Sequence, residues 1–271
     1  MKQIYPFILE KASDVGLLRS TNEDSVLTLV HPEDDRIKLL VVCDGMGGMN
    51  YGDVAANYVT SHFGRFFLAQ HKEEFSDIYL LKEVLSNLVM ECNQYLIDTY
   101  GKNQVGTTLT LALITLEETI LVHLGDSRCY FYKNQELKQM TEDDSDVWLY
   151  YKYNQVGKED LRYFSSSNII NNCVGLSLGS CRPHVYIYPN ESYESLLLVS
   201  DGVTDLITDS KLQSMFRSRP SSLLVDAIVH EAVYVEQHLF VPLKLRDGCY
   251  DRYVVPIRGR DNASAVLFSK I

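Results

Sequence analysis

The 271-residue sequence predicts an α+β fold in which helices are layered on antiparallel sheet. Two observations carry this. Strand-like runs come first, two long amphipathic stretches follow, and further strands and helices close the chain, with no regular alternation of strand and helix. The turn signals between neighbouring strands, Glu117-Glu118 and Lys133-Asn134-Gln135, are short enough for hairpins rather than crossovers.

Taken in order, the first clear strand is SVLTLV from Ser25, and RIKLLVVCD follows it to end at Asp44. The apolar period then lengthens: Ala55, Val59, Phe63 and Phe66 form one helical stripe, and Leu81, Val84, Leu85, Leu88, Cys92, Tyr95 and Leu96 a second. GTTLTLALITL, ETILVHLGD and SRCYFY return to β-branched and aromatic composition and read as a meander. HVYIY and ESLLLVSD form another strand pair, Leu224, Ile228, Ala232 and Val235 mark a third helix, and ASAVLF is the closing strand. The polar stretch from about 142 to 172 has weak periodicity and reads as a surface excursion, the kind of long loop that carries function. With no repeat and no linker, one domain spanning 1–271 is the simplest organisation.

Composition narrows the function. A formal net charge of −11 argues against a broad footprint for nucleic acid or anionic lipid, so no nucleic-acid or membrane partner is expected. Six cysteines stand without a C-x-x-C pair, which reads as reduced thiols. The N-terminus lacks an apolar signal core and no window is long enough to span a bilayer, so a cytoplasmic protein is expected.

Carboxylates recur at strand ends. Asp44 closes VVCD, Asp126 closes ILVHLGD, Asp201 closes SLLLVSD, and Asp261 immediately precedes the last strand. One strand-end Asp is usually a turn former. Four of them at one end of a sheet would repel one another unless a proton or a cation lay between them, and oxygen-only donors select hard cations such as Mg²⁺ or Mn²⁺. GLLRSTNEDSV adds Arg19, Glu23 and Asp24 before the first clear strand, and an arginine fork suits a phosphate. A two-metal hydrolytic site follows from this donor set.

The ordered blocks RSTNED, VVCDGMGG, GTT, LGDSR, MTEDDS, LLLVSDGVTDLI and RDNAS are similar to those of the metal-dependent Ser/Thr protein phosphatases of the PPM or PP2C type, in particular the compact bacterial members. The resemblance covers nearly the whole chain. It implies a β-sandwich flanked by antiparallel helix pairs, in α-β-β-α layers, with two or three Mn²⁺ or Mg²⁺ ions at one end. It implies that Asp44 bridges two cations, that Gly45 offers its carbonyl to one, and that Asp201 and Asp261 ligate the other. Glu23 and Asp24 would act through water, Asp126 would join Asp201 at a third cation, Arg19 would hold the substrate phosphate, and Asn262 would support the ligands.

The implied reaction is hydrolysis of phosphoserine and phosphothreonine in proteins by a metal-activated water, without a phosphoenzyme. The implied partners are phosphorylated proteins made by a cognate Ser/Thr kinase, and a monomer is expected. The alternative from another class is a non-catalytic phosphoprotein-binding module on the same fold, whose signature would be lost metal ligands. Three departures stand out: Met46 where eukaryotic relatives keep a histidine, Asp144 where relatives usually carry histidine in the flap, and an insertion at about 239–259. Other catalytic routes are closed, since no cysteine has an arginine six positions later, no P-loop is complete, and HEAVY at 230–234 lacks the second zinc-protease histidine.

Overall fold

Strand β3 (Asp34–Asp44) shows how the layers are made, because its alternate side chains enter two different cores. Leu39, Val41 and Cys43 point into one cluster with helices α1 (Gly52–Ala69) and α2 (Ile78–Tyr100), whereas Leu40 and Val42 point into a cluster shared with the opposite sheet. Such a strand is buried on both faces, which is why its sequence is a continuous apolar run rather than an alternation. The structure is a computed structural model that describes residues 6–46, 51–153, 155–164, 169–177, 181–234 and 259–271.

Two five-stranded antiparallel sheets face each other. One has the order β2 (Asp24–His31), β3, β4 (Leu109–Ile114), β5 (Glu118–Leu124), β8 (His184–Pro189). The other runs β1 (Phe7–Asp14), β10 (Ala263–Lys270), β9 (Ser195–Val199), β6 (Arg128–Lys133), β7 (Glu136–Gln139). Leu196 and Leu198 of β9 meet Val266 and Phe268 of β10 between the sheets, while Leu197, Val199, Ala265 and Leu267 face helices α5 (Asp209–Ser218) and α6 (Leu224–Tyr234). The layers are therefore helix, sheet, sheet, helix, as the resemblance implies.

Several expectations are corrected. The meander holds for β2 to β5, but SRCYFY does not extend it. At Gly125, whose φ of 101° suits only glycine, the chain crosses to the opposite sheet and β6 pairs with β7 and β9 there. Strands β1 and β7 and helix α5 were not expected from periodicity. In the first helix Phe67, not Phe66, is fully buried, and Tyr95 of the second is 44% exposed, where it stacks on Tyr58 at 4.0 Å. The excursion at 142–172 has a core of its own: Val147 and Trp148 of helix α3 (Asp146–Lys152) pack on Leu161 and Phe164. Val235 and the 239–259 insertion lie outside the described residues. The five described cysteines are free and buried.

Candidate metal centre

The two sheets deliver their acids to the same end. Asp24 opens β2 and stands directly opposite Asp44, the last residue of β3. Asp201 follows β9 at the start of the short helix α4 (Asp201–Thr204), Asp126 follows β5, and Asp261 precedes β10. Five acids from five strand ends thus meet because every strand concerned starts or stops at this edge.

The backbone here is fixed tightly. Asp44 N donates to Thr108 Oγ1 at 2.9 Å, and its carbonyl accepts from Thr107 Oγ1 and Thr108 N, both at 2.9 Å. Gly45 N donates to Glu23 O at 3.1 Å, and a Cβ at Gly45 would lie 2.7 Å from Glu23 O and would overlap Gly52 O. Only glycine fits there. Asn262 clamps the other side: its Oδ1 accepts from Glu23 N at 2.8 Å, and its Nδ2 donates to Val15 O and Thr21 O at 2.9 and 3.1 Å.

The side chains form a buried acidic cluster with too few counter-charges. Asp24 Oδ2 accepts from Ser200 Oγ at 2.9 Å, but the buried Oδ1 atoms of Asp24, Asp126 and Asp201 have no hydrogen-bond partner among the described residues. Burial, with Asp24, Asp201 and Asp126 nearby, holds the Asp44 carboxyl well above the usual carboxylate range. Burial, with Asp126, Asp205 and Asp261, does the same to Asp201. Burial is also the leading cause that pushes Asp24 up to about 6 and Asp126, beside Asp143 and Asp205, up to about 8.

Arg19 sits at the rim, donating from Nη2 to Asp261 Oδ2 at 2.7 Å, with Nη1 3.7 Å from Glu23 Oε2. The residue expected to bind phosphate and one expected to bind metal are therefore in direct contact. Glu23 is raised by burial against the lowering effect of Arg19. Met46 turns away, its sulfur 3.9 Å from Cys173 Sγ, and its N–H donates to Gly106 O at 3.0 Å.

Among the described residues no three His, Cys, Asp or Glu side chains form a ready-made metal cage. The donor set nevertheless fits a hard cation. Three unpartnered buried carboxylate oxygens in an all-oxygen, mutually repelling cluster need positive charge, and hard cations complete their shell with water rather than protein. Sequence reading missed Asp205, which lines a cavity of about 30 Å³ together with Asp126, Asp143 and Asp201. The signal was present in DGVTD, where Asp205 falls four residues after Asp201 and so on the same helical face.

The chain is 28% identical over 219 residues to the serine/threonine phosphatase stp of Listeria welshimeri, covering 78% of this chain and 84% of that protein. In fold it is similar to the serine/threonine phosphatase Stp1 from Staphylococcus aureus, with a TM-score of 0.80 at 24% identity, over 99% of this chain and 96% of that one. It is also similar to the catalytic domain of the serine threonine protein phosphatase PstP in complex with two manganese ions, with a TM-score of 0.71 at 24% identity, over 98% and 100% of the two chains. A family model described as Protein phosphatase 2C matches residues 19–233, a stretch that begins at Arg19 and takes in every acid of the cluster except Asp261. By that match, the chain belongs to the protein phosphatase 2C family.

Proposed function

We propose that the chain is a protein serine/threonine phosphatase that hydrolyses phosphoserine and phosphothreonine esters by direct attack of water, without a phosphoenzyme. The observation that carries the reading is the cluster of Asp24, Asp44, Asp126 and Asp201, three of them with a buried oxygen unpartnered among the described residues, at the end of a sandwich of this family. In this reading Asp44, the Gly45 carbonyl, Asp201 and Asp261 hold two divalent cations, and Asp126 with Asp201 holds a third. Bound there, Mn²⁺ or Mg²⁺ supplies a lowered pKa for water and positive charge opposite the phosphoryl oxygens.

The chain's own residues do the rest. The Thr107 and Thr108 hydroxyls and the tight approach of Gly52 hold the Asp44-Gly45 backbone in place, so the carboxylate and carbonyl keep one orientation. Asn262 ties the loop bearing Arg19 and Glu23 to β10. Arg19, one guanidinium nitrogen on Asp261 and another facing Glu23, keeps further N–H groups for the phosphate at the rim. Met46 carries no proton and packs on Cys173, so the departing alkoxide takes its proton from water.

The substrates are phosphorylated proteins, with a partner Ser/Thr kinase as the source, and the chain acts as a single cytoplasmic phosphatase domain with residues 142–172 as its flap. Among the described residues no helix is long and apolar enough to cross a membrane. The test is release of inorganic phosphate from a phosphothreonine peptide with Mn²⁺, with and without chelator. Activity requiring the metal supports the reading, and activity that survives the chelator overturns it.

A further inference from the structure

At the opposite end of the sandwich a second cavity, about 480 Å³ in volume, opens between the two sheets. Its size is within the range of sites that enclose small organic ligands. Strands β3 and β10 each run from it to the acidic end: six residues separate Lys38 from Asp44, a span of roughly 20 Å at strand rise. The cavity is therefore separate from the metal centre.

Its lining combines an apolar body with two lysine ammonium groups. Phe7, Ile114, Leu116, Tyr193 and Phe268 supply the apolar wall, with Phe7 and Phe268 ring centroids 6.1 Å apart and Tyr193 edge-on to Phe268 at 6.2 Å. Lys38, Lys270 and one carboxylate, Glu117, also line it, with a third cation, Arg36, that is paired with Asp34.

Lys38 is 4% exposed, and its ammonium lies 3.9 Å from the Phe7 ring centroid and 5.3 Å from that of Phe268. Among the described residues its one hydrogen-bond acceptor is the Asp35 carbonyl, so it has N–H capacity left for a ligand. Lys270 donates to the Asn190 and Tyr193 carbonyls and lies 4.5 Å from the Tyr193 ring. Burial pushes the Lys38 ammonium down to about 8 and lowers Lys270 as well. Among the described residues neither lysine makes an ion pair, and an ammonium held by carbonyls and ring faces is the kind of group that a bound anion stabilises. Arg36, by contrast, is engaged by Asp34 through Nε and Nη2, so its charge already has a carboxylate partner.

We infer that this cavity binds a small amphipathic carboxylate, its aliphatic or aromatic body against Phe7, Ile114 and Phe268 and its anionic head on the Lys38 and Lys270 ammonium groups. A carboxylate has one acceptor oxygen for each of the two ammonium groups.

The probe is decanoate, titrated calorimetrically into the full chain, with decanol as the neutral counterpart of equal chain length. Decanoate is expected to bind roughly tenfold more tightly than decanol. Lys38→Met and Lys270→Met, which keep an apolar stem, are expected each to weaken decanoate at least about fivefold while leaving decanol binding unchanged. Removal of a buried charge should not unfold either variant, and a cooperative thermal transition verifies this. Equal binding of the two probes, decanoate binding indifferent to both substitutions, or no decanoate binding at millimolar concentration would each overturn the inference. Phosphatase activity is not the readout, so this test stands or falls apart from the proposed reaction.

Discussion

His184 Nε2 and Asp144 Oδ1 lie 2.9 Å apart, joining the first turn of the 142–172 segment to strand β8. The other oxygen of the same carboxylate accepts from Gly125 N at 3.1 Å and Asn172 Nδ2 at 2.8 Å, and Asp144 N donates to Gly125 O at 2.8 Å. Both ends of the segment are thereby tied to the loop that carries Asp126. The anchor is thus a carboxylate in the segment with its histidine partner on β8.

Asp144→Ala removes these acceptors and strands the N–H of the buried Gly125. A loss of about 1–3 kcal/mol in urea unfolding is expected. Asp144→Asn keeps one acceptor oxygen and should recover part of it, and no difference between Ala and wild type would contradict the anchoring role.

Beneath the same segment Arg128 grips Asp143 through Nε at 3.0 Å and Nη2 at 2.6 Å, both side chains buried, with the Trp148 ring 5.7 Å from the guanidinium carbon. Arg128→Met leaves the Asp143 charge buried without its partner. Destabilisation of about 3–5 kcal/mol is expected, and the double variant Arg128→Met with Asp143→Leu should be less destabilised than the single one.

Lys38 gives a pH signature. Its folded pKa of about 8 is below the ordinary lysine value, so between about 8 and 10.5 the unfolded chain holds more protons than the folded one. Stability contributed by this group therefore rises with pH across that window, and the cost of the buried charge is fully present below it. Lys38→Met should be more stable than wild type at pH 7 and show a flatter stability profile from pH 8 to 10.5. A variant that is less stable at pH 7 would contradict this sign.

Asp126→Ala separates the cation sites. Turnover is expected to fall while two metal ions remain tightly bound, because Asp44, Gly45, Asp201 and Asp261 are untouched. Calorimetry under saturating Mn²⁺ checks it, and a stoichiometry equal to wild type would contradict a third site at Asp126.

Much of this architecture was legible because its central strands are buried on both faces. VVCD and SLLLVSD announce both a core strand and the acid at its end. Strand β1 escaped because FILEKASD is only half-buried at a sheet edge, so neither alternation nor an apolar run develops. Helix α5 escaped because only Leu212, Met215 and Phe216 are buried in it. The crossing at Gly125 depends on which sheet β6 joins, a long-range pairing that a local turn signal does not encode. At the site, strand-end position was enough to find Asp44, Asp126, Asp201 and Asp261. The contact of Arg19 with Asp261, across 242 residues, required the folded chain, whereas Asp205 was legible in DGVTD and was missed.

The central claim is that the strand-end carboxylates form one cation-dependent hydrolytic centre, and Asp201→Asn tests it most directly. Asparagine keeps the shape of the side chain and removes its charge, so the fold should persist with unchanged circular dichroism. At saturating Mn²⁺, phosphate release from a phosphothreonine peptide is expected to fall by at least about a hundredfold relative to wild type, the scale on which loss of an electrostatic catalytic group acts. A folded Asp201→Asn protein that retains wild-type turnover would contradict the account.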